Sequence, residues 1–483
     1  MAAPLLPPPS PTRSHHHHRR RSTLLVLAGA VFVLVALYYV PLLPHNPHRK
    51  AAHTPEFDDK GRWKPPNATH GHHAAHGSVE AMLTGSNAKG TADNYKTTAG
   101  YRWDAEAKMR TLAACIARGD CAPQASNVVI FGAYYCHEAM FNNGNSREAH
   151  WCRSMVHSLE RQGFTVLIAR NDYEYIYHLY RQMPDLVKVV IGDNEWPNGK
   201  PEDWFKTDER PDGIPAWKFF RFNYDPSKNG NEFVGNAWAV AAEPEDWRPE
   251  HDRWNYTYLG LSLEDTLVRP LGFHDRRARA FILGNKKEYY YKDAAWPEDF
   301  FERAKADLRQ TYPDFGFLTT VPGPHGEGHE GMPKGIRNVG ELSLKDWEGE
   351  LAPARVMVGL GKPKLSLGAY KALQMSLPFI NPHWGDQTDP LQWDDVQHST
   401  LRTEVEPYVY QVKAGDYDGF VRAIRKALEK PMLPKHYARM TDKALDRRMY
   451  EFVHHDWKHA AEVILEKRKS GVETQSAGKL FVM

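Results

Sequence analysis

Residues 356–382 read VMVGLGKPKLSLGAYKALQMSLPFINP. The segment opens on a short apolar run of the kind a parallel strand needs when both of its faces are covered. A turn follows in which Gly359 and Gly361 let the backbone bend tightly and approach a ligand. A helical stretch starts near Ser366, and residues 378–380 return to an extended apolar run. Strand, glycine turn, helix and strand make a βαβ unit, which predicts a parallel sheet. The free N–H groups at the start of that helix suit a diphosphate. The turn is not the dinucleotide fingerprint, which has a third glycine and sits early in the chain.

The same alternation runs outward in both directions. Upstream are the strand RAFIL at 279–283, a helix behind Pro297 with Phe300, Phe301, Ala304 and Leu308 on one face, a strand at 315–321 and a helix at 344–351. Downstream come a strand at 408–412 and a helix at 418–430. An earlier series starts with the strand 127–134, continues through a helix at 147–162 closed by Gly163, and adds strands at 164–169 and 186–191. The region 437–467 is helical and too long for one more crossover, so it is expected to pack back across both halves. The fold class is α/β: two doubly wound, Rossmann-type domains facing a cleft, with ligands at the carboxyl ends of the strands. The boundaries are 101–270 and 271–435, with 436–483 as a C-terminal helix.

Composition narrows the remaining classes. The chain has 483 residues, 62 Lys+Arg against 60 Asp+Glu and a formal net charge of +2, so no strong field points to a nucleic-acid partner. Residues 23–43 carry no charge, and as a helix would span about 31 Å, the thickness of a bilayer core. Arg13, Arg19, Arg20 and Arg21 precede this span, against Arg49 and Lys50 after it, which places the tail 1–22 in the cytoplasm. Everything beyond residue 44 is then lumenal or extracellular, and the sequons at Asn67 and Asn255 agree. Residues 44–100 have the composition of a disordered stem, and His70, His72, His73 and His76 read as part of it rather than as metal ligands. Cys115 and Cys121 are placed to close a small loop, and Cys136 and Cys152 to join a strand end to the following helix; the sequence leaves the pairing open.

Three groups of side chains bear on chemistry. Glu148, early in the helix after the first strand, is the best carboxylate for proton transfer, although Asn145-x-x-Glu148 also fits a helix capping box. Lys286 and Lys287, just beyond RAFIL, are able to meet phosphate charge or to lie in a solvated loop. Asp416-Tyr-Asp418 matches a metal-holding Asp-x-Asp, but its place at a helix start favours capping.

The segment 337–361, RNVGELSLKDWEGELAPARVMVGLG, and the LPFINPHW that follows resemble the donor-side domain of glycosyltransferase family 18, the Golgi α-1,6-mannosyl-glycoprotein 6-β-N-acetylglucosaminyltransferases. The matching positions are Asn338 and Gly340, residues 358–363, residues 379–382 with Asn381, Gln397-His398, residues 407–409, and NEFVG at 231–235. The resemblance covers about 128–455. It implies a GT-B fold with an acceptor-side domain at 101–270 and a donor-binding domain at 271–435. It also implies inverting transfer of GlcNAc from UDP-GlcNAc to the 6-hydroxyl of an α-mannose of N-glycans. It implies as well that no metal or other cofactor is required and that the protein is a single-pass type II protein of the Golgi membrane. Matching the helix-ending glycine to Gly163 makes Glu148 the general base. Lys286, Lys287, Asn338, Gly359, Gly361, Ser366, Lys371 and Asn381 become the donor-binding set. Lys371 stands where the family carries a ribose-binding glutamate, and Leu365-Ser366-Leu367 replaces a Glu-Gly-Pro turn. Two alternatives follow: a GT-B transferase using another sugar nucleotide, and a lumenal glycan-binding protein without turnover.

Overall fold

The computed structural model describes residues 92–483 except 194–199, 227–229, 245–254, 265–268, 324–325, 328–330, 394 and 472–478. The tail, the apolar span 23–43, the Asn67 sequon and the stem histidines lie outside the described residues. Among the described residues no helix is long and apolar enough to cross a membrane. These residues fall into two compact units, 92–99 with 109–121, and 100–108 with 122–483. Helix α1 (Ala92–Arg118) runs through both. It begins inside the segment assigned to the stem, because a helix already nucleated at 101 extends at one hydrogen bond per added residue. In the first unit, Cys115 and Cys121 are disulfide-bonded.

The second unit holds both sheets. The first is built from β1 (Val128–Gly132), α2 (Tyr134–Phe141), α3 (Arg147–Arg161), β2 (Thr165–Ile168), α4 (Tyr173–Gln182), β3 (Val187–Gly192), β4 (Phe219–Phe222), β5 (Ala239–Ala241) and β6 (Thr257–Tyr258). Its strand order is β2-β1-β3-β4-β5-β6, parallel throughout. Every residue of β1 is buried, as the apolar run requires of a strand covered on both faces. The chain leaves β1 toward β2 and returns to β3 on the other side, so the switch point lies between β1 and β3. Cys136 in α2 and Cys152 in α3 are disulfide-bonded, which ties these two helices together.

The second sheet follows: β7 (Arg279–Leu283), α5 (Asp299–Arg309), β8 (Gly316–Thr319), β9 (Gly326–Glu327), β10 (Ile336–Asn338), α6 (Leu344–Leu351), β11 (Val356–Gly359), α7 (Leu367–Gln374), β12 (Phe379–His383), β13 (Val409–Lys413) and α8 (Tyr417–Glu429). Its order is β13-β12-β11-β7-β8-β10-β9. All pairs are parallel except the short edge strand β9 on β10. Here the direction reverses between β7 and β11. Trp296, Phe300, Phe301, Phe317, Val358, Ile380 and Phe420 fill one core on this sheet. Two mostly parallel α/β sheets in succession are the topology that a GT-B fold requires.

The C-terminal region is two helices, not one: α9 (Asp442–His454) and α10 (Trp457–Lys469). Asp456 breaks the run by capping α10 through the His459 N–H at 2.9 Å. Both return to the first sheet. Phe452 and Trp457 meet Phe220 with ring centroids 4.8 Å apart in each case, and Trp457 meets Trp238 at 5.1 Å. Arg161 at the end of α3 pairs with Asp446 of α9 at 2.7 Å.

Candidate functional site

The carboxyl ends of β7 and β11 flank the switch point of the second sheet, and Leu283 sits directly beside Gly359 in that register. Lys286 and Lys287 follow β7 and are exposed. The glycine turn follows β11. Both sequence-nominated elements therefore open at the crevice where ligands bind in doubly wound sheets.

The turn is held by Gln397. Its Oε1 accepts from the Gly361 N–H at 2.8 Å, and its Nε2 donates to the Pro363 carbonyl at 3.2 Å. A side chain at Gly359 would collide with that same Oε1. The Gly359 carbonyl accepts from Trp296 Nε1 at 2.6 Å. Ser366 caps α7, its hydroxyl accepting from the Gly368 N–H at 3.3 Å and its carbonyl from the Ala369 N–H at 3.2 Å, so what this helix start offers a ligand is chiefly the positive end of its dipole.

Three of the nominated donor residues are committed elsewhere. Asn338 is buried; its amide accepts from the N–H groups of Val321 and Gly340 and donates to the Val321 carbonyl. Asn381 is fully buried, binding the backbone of His398 in both directions and donating to Gln411. Lys371 points into the domain, 3% exposed, with its ammonium 2.9 Å from the equally buried Glu348. One physical reason covers all three placements: a buried polar group needs its partners, and turning it toward a ligand would strand them. The asparagines tie loops to strands, and the lysine neutralises a buried carboxylate.

Glu148 occupies the first turn of α3, but the cap there is Ser146, which accepts from the Ala149 N–H at 3.1 Å. The capping box expected from Asn145 is not formed, so the Glu148 carboxylate is not used on the backbone. It remains 19% exposed and accepts from Arg147 Nε at 2.8 Å. Arg147 also bonds the Lys364 carbonyl in the glycine turn at 3.1 Å. Glu148 thus lies beside the turn although 217 residues separate Arg147 from Lys364. Asp416, by contrast, caps α8 through the Gly419 N–H at 2.9 Å, as its position suggested. Among the described residues no group of three or more His, Cys, Asp or Glu is placed to hold a metal ion.

Sequence reasoning missed two carboxylates. Asp193, just beyond β3 at the switch point of the first sheet, accepts from the Tyr134 N–H at 2.8 Å, and burial raises its pKa to about 6. Tyr135, its exposed neighbour, lies within the electrostatic reach of both Glu148 and Asp193. Glu243, after β5, is fully buried and receives the Tyr370 hydroxyl at 3.3 Å; burial raises its pKa to about 8. The only sequence signal for either is a lone acid following a short apolar run. Two surface cavities of about 380 Å³ lie away from these residues, one along α8 and one under the C-terminal residues Leu480, Phe481 and Val482.

No family model matches the chain, and neither does any curated protein. Among solved structures, an O-GlcNAc transferase of Thermobaculum terrenum is similar at 11% identity and a TM-score of 0.36, over 72% of this chain and 69% of that one. The UDP-GlcNAc 2-epimerase of Methanocaldococcus jannaschii is similar at 9% identity and a TM-score of 0.38, over 68% and 98%. A heptosyltransferase of E. coli gives 10% identity and a TM-score of 0.27, over 62% and 96%. The fold assignment itself rests on the strand orders described above.

Proposed function

We propose that this chain is an inverting glycosyltransferase of the family 18 type, moving GlcNAc from UDP-GlcNAc to the 6-hydroxyl of an α-mannose on N-glycans. The single observation that carries the reading is the bridge from Glu148 through Arg147 to Lys364. It sets a partly exposed carboxylate next to a glycine turn at a switch point. In this mechanism Glu148 takes the proton of the acceptor hydroxyl as that oxygen attacks the anomeric carbon. The bond from that carbon to the diphosphate oxygen breaks, and its electron pair leaves with UDP. The positive end of the α7 dipole and the exposed Lys286 and Lys287 meet the charge that develops on the diphosphate. The proposal requires no metal. It also places the chain in the Golgi membrane through the span 23–43, with the sheets in the lumen. All four cysteines are paired, which suits an oxidising compartment.

The test uses the full chain in detergent with UDP-GlcNAc, a mannose-terminated biantennary acceptor and EDTA. A mass gain of one GlcNAc is expected, and Glu148→Gln should lower kcat by about 10²–10⁴-fold. Near wild-type turnover in that variant would remove Glu148 from the mechanism. The burial of Lys371 favours one second reading, a different sugar nucleotide, since the position matched to the ribose contact does not face the mouth. A panel of UDP- and GDP-sugars, compared by the rise in Tm each produces, separates the two. Glycan binding without any donor binding would instead favour a non-catalytic lumenal lectin.

A further inference from the structure

Arg147 is the most heavily engaged side chain near the candidate base. Its Nε donates to Glu148 Oε1 at 2.8 Å. Nη1 donates to Asp225 Oδ1 and to the Lys364 carbonyl, each at 3.1 Å, and Nη2 donates to Asp225 Oδ2 at 2.9 Å. The guanidinium also lies over the Tyr224 ring, 4.3 Å from its centroid. A guanidinium has five N–H donors in a fixed plane, and four of these bonds are made here. A side chain so committed is not a free cation waiting for a phosphate. Nor is it an ordinary surface ion pair, because it joins the base's helix, the segment after β4 and the donor-side turn.

We infer that Arg147 is the positioning residue that holds Glu148 in register with the glycine turn, an inference that rests on the base role proposed above. The bidentate bond to Asp225 and the contact with Tyr224 fix the plane of the guanidinium. That plane then sets two things together: the orientation of the Glu148 carboxylate and the position of the Lys364 carbonyl. Bonding through Oε1 leaves Oε2 to accept the proton of the acceptor hydroxyl. Once Oε2 carries that proton, the Arg147 N–H stays on Oε1, now the carbonyl oxygen of the acid, so no donor is stranded during the step. Registration of this kind matters because a misplacement of about 1 Å costs on the order of 100-fold in rate.

The test compares Arg147→Lys, Arg147→Ala and Asp225→Asn with the wild-type full chain. Lysine keeps the charge but presents its donors from a single nitrogen, which cannot span all three partners. Arg147→Lys is expected to lose about 30–100-fold in kcat while KM for UDP-GlcNAc and the donor-induced rise in Tm stay close to wild type. Amide hydrogen exchange over residues 361–368 should become about tenfold faster, because the turn loses its anchor. If Arg147→Ala fails to fold, Asp225→Asn keeps the shape of the site and should show the same kcat loss in milder form. A kcat for Arg147→Lys within about twofold of wild type, or a loss confined to KM, would overturn the positioning role. Unchanged exchange in the turn would overturn the link itself. The failure of the base reading looks different: Glu148→Gln would then retain turnover, or wild type would show none, while the exchange result would still decide whether Arg147 ties the turn.

Discussion

Gly361 shows how much one residue settles in this molecule. Its φ of +100° lies where side chains are rarely accommodated, and an added Cβ would sit 2.4 Å from the ring of Trp384. Gly361→Ala is therefore expected to destabilise the fold by about 2–3 kcal/mol. Because the strain falls on the turn proposed to carry the donor, it should also abolish the Tm increment produced by UDP-GlcNAc; a variant that kept the increment would show that the turn does not carry the donor. The sequence marked Gly359 and Gly361 as a tight turn, but the cause lies in Gln397 and Trp384, which only the tertiary structure brings there. Asn338 and Asn381 illustrate the converse. A polar residue at a strand end is easy to nominate, but the backbone groups that claim its amide are distant in sequence. Arg147 escaped notice for the same reason: beside a candidate acid it reads as a helix-surface charge, and its partners Asp225 and Lys364 are 78 and 217 residues away.

Elements were legible in proportion to how completely they are buried. β1 and β11 are buried runs of mostly apolar residues, β7 is one behind Arg279 and β12 opens on the buried Phe379 and Ile380, and α6 and α7 start at Ser343 and Ser366, side chains that cap them. The strands β4, β5 and β6 run only two to four residues each, too short for any period to emerge. The long C-terminal helix was misread for want of one detail, the Asp456 cap that divides it. Helix pairing yields a prediction that sequence could not have supplied. Lys371 in α7 and Glu348 in α6 are 3% and 0% exposed, so removal of either partner leaves a buried charge. Lys371→Met should cost about 3–5 kcal/mol, whereas Lys371→Met combined with Glu348→Leu should recover most of it. Urea unfolding of the three proteins checks this. If the single variant were as stable as wild type, the pair would not be needed for packing, and Lys371 would return as a candidate donor ligand.

At the scale of the whole molecule, a buried polar chain joins the two halves, and it titrates. Glu243 from the first half meets the Tyr370 hydroxyl of α7, which also contacts Thr400 and receives Arg439 Nη2 at 3.0 Å. Thr400 lies 3.1 Å from His398 Nδ1, and His398 Nε2 lies 3.2 Å from the Ser366 carbonyl. Burial lowers the His398 pKa to about 3, so the ring is neutral. The Tyr370 hydroxyl donates to Glu243 Oε2, while Glu243 Oε1 is buried with no hydrogen-bond partner among the described residues, the place for a proton when the acid is neutral. Burial favours that form, raising the Glu243 pKa to about 8 against the opposing pull of Arg439 and the Tyr370 bond. The folded state therefore binds a proton that the unfolded chain gives up near pH 4.5, and stability falls as pH rises between those values, by up to about 1.4 kcal/mol per unit. Below 6.5 the depressed His398 pKa acts in the opposite direction, Asp193 titrates below about 6, and Lys218, with its pKa lowered to about 8, adds stability only above that. The window from 6.5 to 8 thus belongs to Glu243. Tm should decline across it in wild type and stay flat in Glu243→Gln, which is neutral at every pH. A decline that persists in the variant would place the titrating group elsewhere. Its loss would show that the joint between the halves is held by a protonated acid and loosens as the medium turns alkaline.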